Sequence, residues 1–144
     1  MPFLGDLCYK SPMKLNLKTD YALRVLIFLQ SHEKARIKEI SDHYNINKNH
    51  LSVVVNRLSE LELVHSSPGP SGGISLNPKS LNKNLAEIVT AFEDFDLVEC
   101  FNPEKNTCNL NPNCKLKGIL SKAMRSFMQE LEKYTLRDIQ QLNL

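Results

Sequence analysis

Three cysteines lie close together in one polar stretch of the chain and could bind a soft metal centre. Seven residues separate Cys100 from Cys108, and five separate Cys108 from Cys114. Pro103 and Pro112 lie between them, and proline together with asparagine is typical of a loop. A loop can wrap three thiolates around one centre. Three thiolates are one ligand short of a tetrahedral zinc site or a fully cysteine-held iron–sulfur cluster, so the fourth ligand is left open.

Length and composition restrict the classes of protein. The chain has 144 residues, which suits one modest domain and leaves no room for a large catalytic domain. The net charge is only +2, so DNA binding would depend on local clusters of cations. No apolar run reaches about 18 residues, and the first residues do not read as a secretory signal. We therefore expect a cytoplasmic, reducing location, where clustered cysteines favour metal or redox roles.

A helix-turn-helix is predicted between residues 36 and 61. Apolar spacing indicates helices over residues 36–44 and 48–61, separated by an asparagine-containing turn at 45–47. The outer side of the second helix carries Lys48, Asn49, His50, Ser52, Asn56 and Arg57. Side chains of these types bind base edges and phosphates in the major groove. DNA binding is therefore favoured over an ordinary helical hairpin with a polar face.

Two short strands and a glycine-rich tip follow the helix-turn-helix. The strands are predicted at residues 63–66 and 73–76, and the tip contains two glycines and two prolines. A hairpin in this place is a wing, and we expect Ser71 and Gly72 in its tip to contact DNA. The tip itself contains no lysine or arginine.

The first predicted helix begins at Thr19, whose hydroxyl is expected to cap it. Asp20 would then place a negative charge near the positive end of the helix dipole. Asp20 and Arg24 are four residues apart and can form an ion pair on one face. From the residues alone, Asp20 is a capping acid in a surface ion pair.

The second half of the chain is predicted to be helical around the cysteine loop. One helix is expected over residues 84–95 and one long, broadly apolar helix over 116–139. The long helix suits a dimer interface, although folding back on its own domain is the alternative. The predicted fold is mainly α with a small β-hairpin: a winged helix-turn-helix followed by a long C-terminal dimerisation helix. Residues 1–12 are predicted to be a disordered extension, 13–80 the DNA-binding domain, and 81–144 the cluster-binding loop and dimerisation helix.

Several motifs between residues 13 and 139 are similar to those of a known family. They are MKLNLKTDYALRVLIFL, IKEISDHYNINKNHL, GPSGGISL, VECFNPEKNTCNLNPNC and EKYTLRDI. Together they resemble the NsrR family of nitric-oxide-sensing iron–sulfur repressors, in the superfamily that also contains the cluster-assembly regulator IscR.

The resemblance implies a homodimer in which Cys100, Cys108 and Cys114 of each subunit hold one cluster, most often [4Fe-4S]. It also implies that the fourth ligand is the partner subunit's Asp20, with Arg24 as a nearby charge. The cluster-bound form would repress nitric-oxide detoxification and respiratory genes by binding a double-stranded operator. Nitric oxide would then release the DNA.

The chain departs from the resemblance at three places. IscR-like members have a histidine shortly after the third cysteine, whereas Lys115, Leu116 and Lys117 follow here, which argues against an IscR-type [2Fe-2S] site. Wings of the family usually carry an arginine before or inside the glycine-rich tip, whereas the tip of this chain contains none. The residues before Met13 have no counterpart, and Cys8 among them is expected to be a bystander.

Other functions stay open at this stage. The site could be zinc in a winged-helix regulator, although the cysteine spacings exceed those typical of structural zinc. It could also be a cluster, including [2Fe-2S], that reports iron–sulfur or redox status without specificity for nitric oxide. A metal-free thiol enzyme is disfavoured because no C-x-x-C motif is present. No motif of a hydrolytic enzyme stands out, and we interpret the chain as a regulator and not an enzyme.

Overall fold

The computed structural model describes residues 14–107, 109 and 114–140. The predictions for residues 1–12, Cys8 and Cys108 therefore lie outside the described residues. Within them, five α-helices and one two-stranded antiparallel sheet form the regular structure. The predicted fold class, mainly α with a small β-hairpin, is confirmed.

Helix α1 covers Leu17–Gln30 and begins earlier than predicted. Its N-cap is Asn16, whose side-chain oxygen accepts a hydrogen bond of 2.8 Å from the Thr19 amide. The prediction that Thr19 caps the helix is wrong, because asparagine is at least as good a cap and occupies the position three residues earlier. Thr19 lies inside the first turn and is only 1% exposed. Asp20 lies in the first turn, as predicted.

Helices α2 (Ile37–Tyr44) and α3 (Lys48–Glu60) form the predicted helix-turn-helix. Asn45 ends α2 in the left-handed conformation, with φ 54° and ψ 48°, which asparagine tolerates better than most residues. Asn47 then caps α3 by accepting a hydrogen bond of 2.8 Å from a first-turn amide. Ile46 between them is buried. The turn is thus attached to the core, which sets the angle between the two helices.

Strands β1 (Val64–Ser67) and β2 (Gly73–Leu76) form the predicted wing. Strand β1 begins one residue later than predicted. An isolated antiparallel bridge also joins Ala35 to Ile74 of β2, with N···O distances of 2.9 and 2.7 Å. The segment that leads into α2 therefore lies along the wing as a very short third strand.

Helix α4 covers Leu85–Thr90 and is shorter than the predicted helix, which continued to Phe95. Beyond it, the carboxylate of Glu93 turns back to the start of α1. It accepts hydrogen bonds from the Thr19 hydroxyl at 2.6 Å and the Asn16 amide at 3.1 Å. These contacts replace the last turns of the predicted helix. One 3-10 turn, Pro78–Asn82, precedes α4, and another, Glu99–Phe101, follows it.

Helix α5 covers Lys115–Glu132, so the prediction of one continuous helix to residue 139 is wrong. Residues Leu136–Ile139 form a separate 3-10 turn. It begins at Thr135, whose amide donates a hydrogen bond of 2.7 Å to the Asp138 carboxylate. Leu136 is 0% exposed. The chain leaves the helical path after α5, and Leu136 packs in the hydrophobic core.

One hydrophobic core joins most of these elements, with Leu26, Leu51, Val54, Leu58, Ile88 and Leu136 among its fully buried members. Two of these, Ile88 and Leu136, come from the part of the chain assigned to residues 81–144. The division into separate domains remains a prediction.

Helix α5 differs from the other helices, because none of its residues is buried. Its large apolar side chains Leu116, Ile119 and Phe127 are exposed. Among the described residues, no helix is both long and apolar enough to cross a membrane.

Candidate functional site

The outer surface of α3 carries the residues predicted to bind DNA. All of them are exposed except Ser52, which is half-buried. The hydroxyl of Ser52 donates a hydrogen bond of 2.9 Å to the Lys48 carbonyl. Arg57 pairs with Glu60 at 3.2 Å. Both side chains of this pair are about half exposed or more, so it contributes at most about 0.5 kcal/mol, and a DNA phosphate could replace Glu60.

Val53 also lies on this surface, although the sequence analysis did not include it. It is 54% exposed and lies four residues after Asn49 and three before Asn56, which places the three on one helix face. The apolar pattern of α3 assigned the neighbouring Val54 and Val55 to the core, correctly. The sequence did contain an indication that Val53 faces outward, because it lies on the same helix face between the outward-facing polar residues Asn49 and Asn56.

The wing tip is tightly built around its glycines. Ser71 is exposed, as expected of a DNA contact, whereas Gly72 is buried. A Cβ added at Gly72 would lie 2.1 Å from the carbonyl oxygen of Ser67. Gly72 therefore shapes the hairpin by its lack of a side chain. Gly69 supplies the unusual backbone conformation, with φ +92°.

Two cations from outside the wing contact its tip. The ammonium group of Lys34 donates a hydrogen bond of 3.2 Å to the Ser71 carbonyl. The guanidinium of Arg36 donates to the Pro70 carbonyl. Sequence reasoning missed both, because these residues precede α2 and lie far from the wing along the chain.

The described cysteines, Cys100 and Cys114, are free and half-buried. Cys100 lies in the 3-10 turn Glu99–Phe101, and Cys114 is the N-cap of α5. An open cavity of 320 Å³ lies between their two segments, lined by Phe101 and Lys117 among others. Phe101 next to Cys100 and Lys117 in the first turn of α5 after Cys114 thus line the same cavity, while Cys108 lies outside the described residues.

Asp20 and Arg24 form the predicted ion pair on α1. The guanidinium donates two hydrogen bonds, from Nε to Oδ1 at 3.0 Å and from Nη2 to Oδ2 at 2.9 Å. Both side chains are 41% exposed, so the pair contributes only about 0.3–0.5 kcal/mol. One face of this carboxylate remains open to solvent.

Arg24 also connects α1 to the helix-turn-helix. Its backbone carbonyl accepts a hydrogen bond of 3.1 Å from the hydroxyl of Tyr44, the last residue of α2. The guanidinium carbon lies 5.8 Å from the centre of the Tyr44 ring. Burial raises the pKa of Tyr44 above its ordinary range.

Glu93 connects the cysteine segment to the same helix. Its carboxylate contacts Asn16 and Thr19 at the start of α1, and Thr19 directly precedes Asp20. The chain then runs seven residues from Glu93 to Cys100. This contact joins residues far apart in sequence and could not be found by local patterns.

The structure does not gather Asp20, Cys100 and Cys114, which are all described, into one group of metal ligands. In residues 14–107, 109 and 114–140, no three histidine, cysteine, aspartate or glutamate side chains are grouped so that they could hold a metal ion.

A family model described as an iron-dependent transcriptional regulator, Rrf2, matches residues 15–141. The chain belongs to the Rrf2 family. Its curated relatives include the HTH-type transcriptional regulator NsrR of Bacillus licheniformis, which is 48% identical over 131 residues covering 88% of this chain and 92% of the relative. NsrR of Bacillus subtilis is 45% identical, with coverage of 88% and 90%. The resemblance to the NsrR family is thereby confirmed.

Solved structures share the Rrf2 fold. Staphylococcus aureus CymR superposes with a TM-score of 0.68 at 19% identity, covering 90% of this chain and 99% of CymR. T. potens IscR gives a TM-score of 0.69 at 19% identity, with coverage of 89% and 86%. At these identities the likeness shows the fold alone. Together with the family match, it identifies this Rrf2 protein as a DNA-binding transcriptional regulator.

Proposed function

We propose that this Rrf2 protein is a homodimeric cytoplasmic repressor that senses nitric oxide through an iron–sulfur cluster, most simply [4Fe-4S]. One observation carries the proposal: the free thiols Cys100 and Cys114 lie at the two ends of one loop, and Glu93 ties the entry to that loop to α1. The cysteine segment is thereby joined to the helix on which the DNA-binding unit packs.

The donor set suits a cluster. Cys100 and Cys114 are thiols, not disulfides, and Cys108 would add a third soft ligand, which is the ligand type that iron–sulfur clusters prefer. The half-buried position of both described thiols restricts access of water to them. When bound, the cluster supplies iron that reacts with nitric oxide.

We assign the fourth ligand to the partner subunit's Asp20. Two observations support this assignment. The carboxylate of Asp20 is partly open to solvent, held on one side by Arg24. Among the described residues, Asp20 is also not grouped with Cys100 and Cys114 in its own chain, which is consistent with a ligand given to the cluster of a second subunit.

The chain offers a direct route from Asp20 to the DNA-binding helices. A change at Asp20 alters the charge facing the Arg24 guanidinium, which lies against the Tyr44 ring. Tyr44 closes α2 and directly precedes the turn to α3. Small movements of α1 would therefore change the angle of α3, the helix proposed to contact the DNA bases, through the side chains packed between them.

DNA binding is assigned to α3 and the wing. Lys48, Asn49, His50, Asn56 and Arg57 would contact bases and phosphates, with Ser52 close to the helix surface. Val53 adds an apolar contact of the kind that recognises a thymine methyl group. Ser71 and Gly72 would bring the wing tip to the sugar–phosphate backbone of the DNA.

The dimer is assigned to α5. Leu116 and Ile119 are 59% and 62% exposed, and a row of large apolar residues on one helix face favours a protein interface. A twofold dimer would place two copies of α3 about one helical turn apart, roughly 34–36 Å, on the DNA.

The deciding experiment is an absorbance spectrum with iron and sulfide analysis on protein purified without oxygen. We expect a broad band near roughly 400 nm and about four irons per subunit, with the band bleached by nitric oxide. Cys100→Ala should lose the band and nitric-oxide-sensitive DNA binding together. Colourless protein with about one zinc per subunit would refute the cluster and leave only the DNA-binding regulator.

The ligand role of Asp20 has a matched control in the chain. Asp20 and Asp42 each form an ion pair with a cation four residues away, at 2.9 and 2.7 Å. Asp20→Asn should change the cluster spectrum and slow or prevent cluster retention, whereas Asp42→Asn should change neither. Equal spectra for the two variants would contradict the assignment of Asp20.

A further inference from the structure

The wing of this protein has no cation of its own, yet two cations lie at its tip. The tip sequence Ser67 to Gly72 contains neither lysine nor arginine. Residues 34–36 place Lys34 and Arg36 there through their hydrogen bonds to the carbonyls of Ser71 and Pro70. The positive charge that a DNA-binding wing needs thus comes from the segment before α2.

The position of these cations is fixed by the backbone between them. Ala35 exchanges two hydrogen bonds with Ile74, of 2.9 and 2.7 Å, and is 2% exposed. The contact is also sterically close, because a Cβ at Gly73 would lie 2.8 Å from Cγ of Lys34 and 2.9 Å from the Ala35 carbonyl oxygen. With Ala35 held against the wing, its two neighbours cannot move far from the tip.

The charges of Lys34 and Arg36 differ from those of nearby cations in their partners. Lys38 and Arg57 each pair with a carboxylate, at 2.7 and 3.2 Å. In the part of the chain that the structure describes, no carboxylate oxygen lies within 4.0 Å of the side-chain nitrogens of Lys34 and Arg36, although the backbone amide of Arg36 donates a hydrogen bond of 2.9 Å to the Glu39 carboxylate. The partners of both side chains at the wing tip are neutral carbonyls, so these contacts do not neutralise either positive charge.

Both side chains also keep hydrogen-bond donors for a second partner. An ammonium group has three N–H donors and a guanidinium has five, and each uses one on the wing tip. Both residues are exposed. Arg36 lies immediately before α2, the helix that crosses the DNA backbone in a helix-turn-helix complex.

We propose that Lys34 and Arg36 bind phosphates of the DNA backbone beside the wing while holding the wing tip in place. The proposal rests on the proposed function in one respect, that α3 and the wing bind DNA. It adds two residues from outside the wing to that interface. Because phosphate contacts carry no sequence information, these residues supply affinity and orientation, and base discrimination stays with α3.

The test measures the salt dependence of DNA binding by full-length protein carrying its cofactor. The probes are a duplex selected by the wild-type protein from random sequences and a mixed-sequence duplex of equal length. For the double variant Lys34→Gln with Arg36→Gln, the slope of log K against log salt should fall by about 1.8 per subunit, since each phosphate contact contributes about 0.9. The loss of affinity should be similar for both duplexes.

A charge-matched control is available outside the wing and the segment that contacts its tip. Lys83 and Lys133 are exposed and pair with Glu87 and Glu130 at 3.7 and 2.6 Å. Lys83→Gln with Lys133→Gln removes the same net charge and should leave the slope near the wild-type value. Equal slopes for the two double variants would overturn the proposal.

A purely structural role for the two cations gives a different result. If they only hold the wing, their loss would weaken the selected duplex more than the mixed one and leave the salt slope unchanged, which would also overturn the proposal. Should the double variant unfold, Lys34→Gln alone, removing one exposed contact, should lower the slope by about 0.9 per subunit. If the wild-type protein enriches no duplex from random sequences and does not bind the mixed-sequence duplex, DNA binding itself is refuted, which is a separate outcome.

Discussion

The winged half of this protein and its C-terminal helix bury their apolar residues to very different extents. In α1 and α3, Leu26, Leu51 and Leu58 are 0% exposed. In α5, no residue is buried, and Ile119 is 62% exposed. The winged half therefore completes its core within one chain. The apolar face of α5 is exposed in the single chain, and burying it against a second protein surface would stabilise the protein by the hydrophobic effect. This is the physical basis for expecting a dimer there.

Truncating the core of the winged half should have the largest effect on stability. Leu26→Ala removes a fully buried side chain and should lower the free energy of unfolding by about 2–5 kcal/mol. The matched change at an exposed site, Val53→Ala, should alter it by less than about 0.5 kcal/mol. Thermal or denaturant unfolding followed by circular dichroism measures both. Similar losses for the two variants would show that α1 is not the centre of the core.

A charge introduced on α5 should have little effect on the stability of the single subunit and a large effect on the stability of the dimer. Ile119→Glu would place an unpaired charge in the proposed interface and weaken the dimer by roughly 3 kcal/mol or more, about 100-fold. Val53→Glu adds the same charge at an exposed apolar site on α3 and should leave the dimer intact. Light scattering after size-exclusion chromatography measures the mass. A dimeric Ile119→Glu protein would place the interface elsewhere.

Replacing a glycine by alanine should change the stability in opposite directions in the two regions. At Gly72 an added Cβ would meet backbone oxygens at 2.1 and 2.5 Å, so Gly72→Ala should destabilise by about 1–3 kcal/mol. At Gly118 in α5 nothing lies within 4 Å, and Gly118→Ala should stabilise the helix by roughly 0.5–1 kcal/mol. Melting temperatures of the two variants decide this. A destabilised Gly118→Ala dimer would indicate that the partner packs directly on this position.

The smallest expected effect concerns the turn after α5. Hydrogen bonds from the Thr135 amide and hydroxyl lower the pKa of Asp138 below its ordinary range. Because the folded pKa is lower than the unfolded one, the stabilisation is present above about pH 4 and is lost as the pH falls through the folded pKa. The difference in melting temperature between wild type and Asp138→Asn should therefore shrink between about pH 6 and pH 3. A difference that stays constant would show that the charge of Asp138 does not matter.

Local patterns predicted the helix-turn-helix closely, and the reason is physical. Asn45 and Asn47 end one helix and begin the next through their own backbone and side-chain preferences. Capping and apolar periodicity act over a few residues, so they can be read without the fold. The same reasoning failed at Thr19, because Asn16, three positions earlier, could also cap the helix and the polar partner of Thr19 lies 74 positions away.

The candidate site, too, was predicted from the sequence only in part. Residue type and spacing predicted that Cys100, Cys108 and Cys114 bind metal and that the polar face of α3 binds DNA, and the resemblance to the family was found from motifs alone. The geometry could not be derived so directly. The contact between Glu93 and Thr19 depends on two segments that meet only after folding.

The amino-acid sequence by itself determined which helices form, where the helix-turn-helix lies and which side chains have metal- or DNA-binding chemistry. Only the tertiary structure decided that α5 stops before Leu136, that Glu93 holds the start of α1, and that Lys34 and Arg36 reach the wing tip. Each of these depends on contacts between residues distant in the chain. Such contacts form when a common core is buried, and no local propensity encodes them.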